Sequence, residues 1–126
     1  MPGISFSQDD IASNAKLDAQ WYPLEIIAVN SGPGTKDPTS TTWKIEMRIN
    51  DGPNKGTPIT HFINNGSPGA LKMTKGFSFV QCFATDKLEA NKEYPIESTA
   101  GKRIQAFIQY DMERNENKVL DFKRAA

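Results

Sequence analysis

Apolar and polar residues alternate most clearly from Trp43 to Ile49. Trp43, Ile45, Met47 and Ile49 fall on one face, Lys44, Glu46 and Arg48 on the other, which is the period of a strand with one buried side. In Asn50-Asp51-Gly52-Pro53-Asn54-Lys55-Gly56 two glycines can take positive φ and Pro53 fixes its own, so the chain is expected to turn back. Thr57 to Ile63 then supplies a second β-rich run, and the whole predicts a hairpin with a long tip. Upstream, Trp21 to Val29 is densely apolar and β-branched and predicts the first strand, with Pro23 suited to a strand start or an edge. Ser31 to Thr41 holds two glycines and two prolines and predicts a long loop, of the kind that either binds something or is a tolerated surface insertion.

Downstream, Asn64 to Gly69 breaks the strand, and Ser67 followed by Pro68 resembles an N-cap and first helical position. Apolar residues from Ala70 to Phe83 recur at mostly helical spacing and predict one helix of about four turns, bent at Gly76. Lys87 to Ala100 is polar around a short extended anchor, Tyr94-Pro95-Ile96. In Arg103 to Met112, Ile104, Ala106, Ile108 and Tyr110 alternate with Arg103, Gln105, Phe107 and Gln109, which puts Phe107 on the polar face of a fourth strand. Glu113 to Asn117 reads as a charged turn and Lys118 to Phe122 as the last strand. Residues 1–20 are polar, with Ile4, Phe6, Ile11 and Leu17 as the large apolar groups. They predict a flexible or partly ordered arm, with a helical turn over Asp9 to Lys16 capped by Asp9 or Asp10. Residues 21–126 then form the domain. Five strands with one helix between the third and fourth is the element order of the OB-fold, a mostly β, five-stranded Greek-key barrel.

Composition narrows the function. The chain has 126 residues, 37% hydrophobic, enough for one domain with its own core. One cysteine, Cys82, excludes an internal disulfide framework and fits a reducing compartment. The start of the sequence has no apolar run of signal or membrane-span length, so a cytoplasmic protein without membrane contact is expected. Fifteen basic residues balance fifteen acidic ones, so attraction for a polyanion must be local. His61 is the only histidine, and no serine or cysteine motif accompanies it. The glycine-rich tip lacks the Gly-Lys-Ser/Thr ending of a phosphate loop, and the aspartates show no metal-ligand spacing. No catalysis, metal or cofactor is expected.

Four short motifs add a family resemblance. Trp21-Tyr22-x-Leu24, the tip Asp51-Gly52-Pro53-x-Lys55-Gly56, Ala100-Gly101-Lys102-Arg103 and Val119-Leu120-x-Phe122 together resemble a family of small bacteriophage proteins. Its members lie among replication and recombination genes and are considered OB-fold single-stranded-DNA-binding proteins. The resemblance covers roughly residues 21–122. It implies single-stranded DNA as ligand, replication or recombination proteins as partners, and a homodimer or cooperative oligomer as a working state. The sequence departs from many replication single-strand binders in ending Lys123-Arg124-Ala125-Ala126 rather than in an acidic, partner-recruiting tail.

Binding single strands without sequence preference takes cations along the phosphates and exposed aromatics under the bases. The candidates are Lys36 in the long loop, Lys44 and Arg48 on the second strand, Lys55 at the hairpin tip, His61 and Phe62 on the third strand, Arg103 and Phe107 on the fourth, and Arg114 and Lys118 beside the last turn. Glu46, between Lys44 and Arg48, lowers the local potential. Trp43 is in phase with the core residues and is expected to pack inside. The alternative is a protein-binding or virion-assembly module that uses a small β-barrel as a structural part, which zero net charge and the polar arm suit equally.

Overall fold

A computed structural model of the chain describes residues 3–34 and 37–126. It is mostly β. Five antiparallel strands, β1 (Gln20–Pro33), β2 (Thr41–Ile49), β3 (Pro58–Asn64), β4 (Arg103–Asp111) and β5 (Glu116–Arg124), form one open sheet in the order β3-β2-β1-β4-β5. Among the described residues the helices are short: α1 (Gln8–Ser13), α2 (Ala70–Met73), α3 (Gly76–Gln81) and a 3-10 turn at Ile96–Thr99.

The long first strand organises the sheet. Residues 24 to 33 pair with β2, while residues 20 to 25 pair with β4 on the other edge. Its apolar run, Leu24-Glu25-Ile26-Ile27-Ala28-Val29, cannot alternate cleanly, and the register against β2 shifts between Ile26 and Ala28. The bulge restores the phase. Ile26 and Val29 face inward while Ile27 is left exposed, and such a bulge also bends the strand. A second shift, opposite Phe107 and Ile108, leaves Leu120 as the extra residue of β5.

The inner face carries Leu24, Ile26, Ile45, Met47, Ile49, Ile59, Ile63, Ile104, Ala106, Ile108, Val119 and Phe122, all buried. Phe79 of α3 closes this core. Its ring lies edge-on to Phe83 and to Phe122, with centroids 5.3 Å away in each case. Helix α2 packs on β3 and α3 on β5, so the helical segment lies between the two edge strands. The Arg124 guanidinium donates to the carbonyls of Gln81 and Ala84 and ties the end of β5 to the end of α3.

Several sequence expectations need correction here. The single bent helix of about four turns is instead α2 and α3, separated by Lys75 at φ 65. The cause is local. A Cβ on Gly76 would stand 3.1 Å from both the Leu71 carbonyl oxygen and its side chain, and 3.3 Å from Ile63. The chain uses the glycine for close approach to β3 and turns its axis there. The cap also differs, since Gly69, at φ 81, starts α2 and Ser67 does not. In the arm, Ser7 rather than Asp9 or Asp10 opens α1: the Ser7 amide donates to the Asp10 carboxylate at 2.9 Å and the Asp10 amide to the Ser7 hydroxyl at 3.1 Å, a reciprocal cap.

Past α1 the arm joins the core. Leu17 is buried, and the Asn117 side chain acts as a strand partner for the backbone around it, accepting from the Leu17 amide at 3.0 Å and donating to the Ala15 carbonyl at 2.7 Å. The Tyr22 hydroxyl donates to the Asp18 carbonyl at 2.7 Å. The loop between β1 and β2 is shorter than the sequence suggests, because β1 runs on to Pro33. Asp37 organises its far end, accepting from the amide and hydroxyl of Thr39, and these bonds hold its carboxyl below the usual range.

Candidate nucleic-acid interface

The outer face of the sheet collects the residues that are out of phase with the core. The strand registers set them in rows. Phe62, Lys44 and Asn30 form one row, Thr60, Glu46 and Ala28 the next, and Pro58, Arg48, Glu25 and Arg103 the third. Pro23, Gln105 and Lys123 follow, then Trp21, Phe107 and Asp121, then Gln109 and Lys118. Opposed side chains in such rows lie about 5 Å apart.

At one end of this face stands an aromatic cluster. The Trp21 and Phe107 rings meet edge to face at 5.6 Å and 74°, and Lys123 Nζ sits 4.4 Å from the centre of the Trp21 ring. Trp21 is 36% exposed, so part of its π-surface is open to a ligand. At the other end Phe62 is 52% exposed on the edge strand, beside Lys44. Nine residues of β1 separate the Trp21 row from the Phe62 row, about 30 Å along the strand.

The charges are mixed but lean positive. Lys44, Arg48, Arg103, Lys118 and Lys123 share the face with Glu25, Glu46 and Asp121. Lys44 Nζ pairs with Glu46 at 3.3 Å, an exposed ion pair of little energetic weight. Arg48 donates to the Gly56 carbonyl at 3.0 Å, which braces the hairpin tip against β2. Glu25 lies in register between Arg48 and Arg103. Lys55 and Arg114 occupy the β2–β3 and β4–β5 turns and are exposed. The strand directions send both turns toward the Trp21 end, so they flank the aromatic cluster.

The sequence candidates therefore divide. Lys44, Arg48, Phe62, Arg103, Phe107 and Lys118 lie on the shared outer face, and Lys55 and Arg114 on its two flanking turns. Lys36 lies outside the described residues. His61 goes elsewhere, because β3 turns it inward with Ile59 and Ile63. There Nε2 donates to the Thr74 carbonyl at 2.7 Å and the ring meets Phe122 at 5.1 Å. Burial pushes its pKa down. It works as a neutral clamp between β3 and the end of α2.

Trp21 and Lys123 are members of the face that sequence reasoning passed over. The signal for Trp21 was available, since it alternates with Tyr22, Leu24 and Ile26. Lys123 was lost by ending the last strand at Phe122. Trp43 is half-buried against the core, and its indole donates to the Glu97 carboxylate, which helps hold that carboxyl below its ordinary range after the bonds from Glu97's own amide and from Ser31.

Elsewhere, Cys82 is half-buried and its thiol bonds the Ser78 carbonyl at 3.2 Å. Burial pushes its pKa up to about 11, which disfavours the reactive thiolate. Among the described residues no group of three or more His, Cys, Asp or Glu could hold a metal ion. No helix among them is long and apolar enough to cross a membrane. No family model and no curated protein matches this chain.

Proposed function

We propose that the outer face of this sheet binds single-stranded DNA without sequence preference, in the replication or recombination of a bacteriophage. The observation that carries the reading is the Trp21, Phe107 and Lys123 cluster, an open aromatic surface with a cation on it, continued through Gln105 and Arg103 to Arg48. Bases stack on aromatics regardless of identity, and lysine and arginine follow the phosphates. The near-neutral total charge is compatible with this, because Lys44, Arg48, Arg103, Lys118 and Lys123 outnumber Glu25, Glu46 and Asp121 on this face.

The reading includes an OB-type Greek-key barrel. Its support is the strand order, with β1 central and paired to both β2 and β4, and the approach of the edge strands, where His61 of β3 touches Phe122 of β5. Such barrels take oligonucleotides across their second and third strands and the β1–β2 and β4–β5 loops; here Lys44, Arg48 and Phe62 stand on those strands and Arg114 in the last of those loops. Replication or recombination proteins are the expected partners.

The experiment is fluorescence anisotropy of labelled oligothymidine titrated with the protein at low and moderate salt, with duplex of equal length as control. Preference for the single strand, weakening with salt by about 0.7 log units in affinity per log unit of salt for each phosphate contact, is expected. No binding at low salt would sink the proposal.

A further inference from the structure

Among the described residues two clusters of large apolar side chains stand exposed. The first is the arm. Ile4, Phe6 and Ile11 are 84%, 69% and 65% exposed, although α1 itself is well capped and lies against β3. The second is the corner of α2 and α3, where Leu71, Met73 and Phe77 are exposed, Met73 to 81%. Three large apolar side chains left in water at each place is the mark of an interaction surface.

Their charges are complementary. The arm carries Asp10, whose carboxylate also accepts from the Ser7 amide, and its sequence has no lysine or arginine before Lys16. The helical corner carries Lys72 and Lys75 within a stretch, residues 52 to 85, that contains no Asp or Glu. The two surfaces do not cover each other in a single copy, because both remain exposed. From this match we infer that the arm of one copy docks on the α2–α3 corner of a second copy of this chain.

Such a contact is heterologous. Each copy offers one arm and one corner, so the partner's corner is filled while its own arm stays available, and the assembly grows head to tail. The corner belongs to the helical segment packed against the inner, core side of the sheet. The outer face with Trp21 and Phe107 is left uncovered. Assembly is thus compatible with the DNA reading but independent of it, since it is measured with no nucleic acid present.

Sedimentation velocity of the full chain over a range of concentrations tests it, on wild type, Phe6→Asp, Met73→Asp and an equal mixture of the two variants. Both side chains are exposed, so the variants should keep the wild-type circular dichroism and melting temperature. Wild type is expected to gain mass continuously with concentration. Each variant alone should weaken self-association by about tenfold or more, as for a central contact residue. The mixture should form a heterodimer and stop there, because the arm of Met73→Asp meets the intact corner of Phe6→Asp and no second productive pair remains. A wild type that stays monomeric throughout, variants that assemble like wild type, or a mixture that yields no heterodimer would each overturn the inference.

Discussion

Replacing Trp21 by Ala is the most direct probe of the outer face. The magnitude follows from what the ring touches. One stacked base contributes about 1–3 kcal/mol, but the Trp21 ring already has Lys123 Nζ over it at 4.4 Å. An exposed cation–π contact of that kind contributes about 0.5–1 kcal/mol and is given up when a base slides onto the ring. The net loss in the variant is then about 0.5–2 kcal/mol, a rise in Kd of roughly 2- to 30-fold at 25 °C. The displaced lysine is free to meet a phosphate, so Lys123→Gln should lower the salt slope by about 0.7. Because each single variant also removes the contact that wild type gives up on binding, the double variant should lose more than the sum of the singles, by about 0.5–1 kcal/mol. Removing the ring also breaks the edge-to-face pair with Phe107, which costs about 0.5–1.5 kcal/mol of stability, too little to unfold a domain of ordinary stability. Anisotropy with oligothymidine reads the affinity. Quenching of tryptophan emission on DNA addition, present in wild type and absent in Trp21→Ala, locates the stack, because Trp43 is held against the core and Glu97. A variant that binds as tightly as wild type, with quenching intact, would refute the stacking role.

Three further outcomes test the frame. His61 is the only histidine and its pKa is lowered in the fold, so on acidification the unfolded chain takes up a proton before the folded one does. Stability should therefore fall as pH drops below the ordinary value of 6.5, by at most about 1.4 kcal/mol per pH unit; urea melts should show this in wild type and a flatter profile in His61→Gln. Phe79→Ala, which empties the site between Phe83 and Phe122, should destabilise the protein by about 3–5 kcal/mol in denaturant melts. Asn117→Ala removes both bonds that hold Ala15 and Leu17 and should cost about 1–3 kcal/mol. Trypsin should then cut faster after Lys16, an outcome that unchanged cleavage would contradict.

The strands were legible because their burial obeys period two. Arg103 to Ile108 reads polar-apolar in the sequence, and the fold buries Ile104, Ala106 and Ile108 as that alternation requires. The hairpin tip was legible for a different reason, since Gly52 and Gly56 take φ of 88 and 93, conformations that few other residues adopt. The helical segment failed on both counts. Its apolar spacing fits one continuous helix, and only contacts across the fold distinguish that from two short ones. Gly76 is pressed against Leu71 and Ile63, a residue of β3 that no local pattern brings near.

The face itself depended on phase, and phase is fragile at bulges. A run such as Leu24 to Val29 has apolar side chains on both parities, so the sequence does not say where the strand slips. The fold resolves it by leaving Ile27 outside and returning Val29 to the core. On β3 the difficulty is the turn that sets the register. One residue of slip would exchange His61 and Phe62 between the two faces, and only the pairing of Lys44 with Phe62 and Ile45 with His61 fixes which is which. The same pairing gives the two residues their different chemistry. Phe62, turned outward, remains open to a ligand, whereas His61, one position earlier, is desolvated and held neutral against Thr74. Burial there outweighs what the Thr74 bond would give a charged ring, so protonation of His61 works against the fold rather than for a polyanion. On the proposed reading the positive side of this face therefore rests on its lysines and arginines, and affinity for a single strand should respond to salt far more than to the titration of His61.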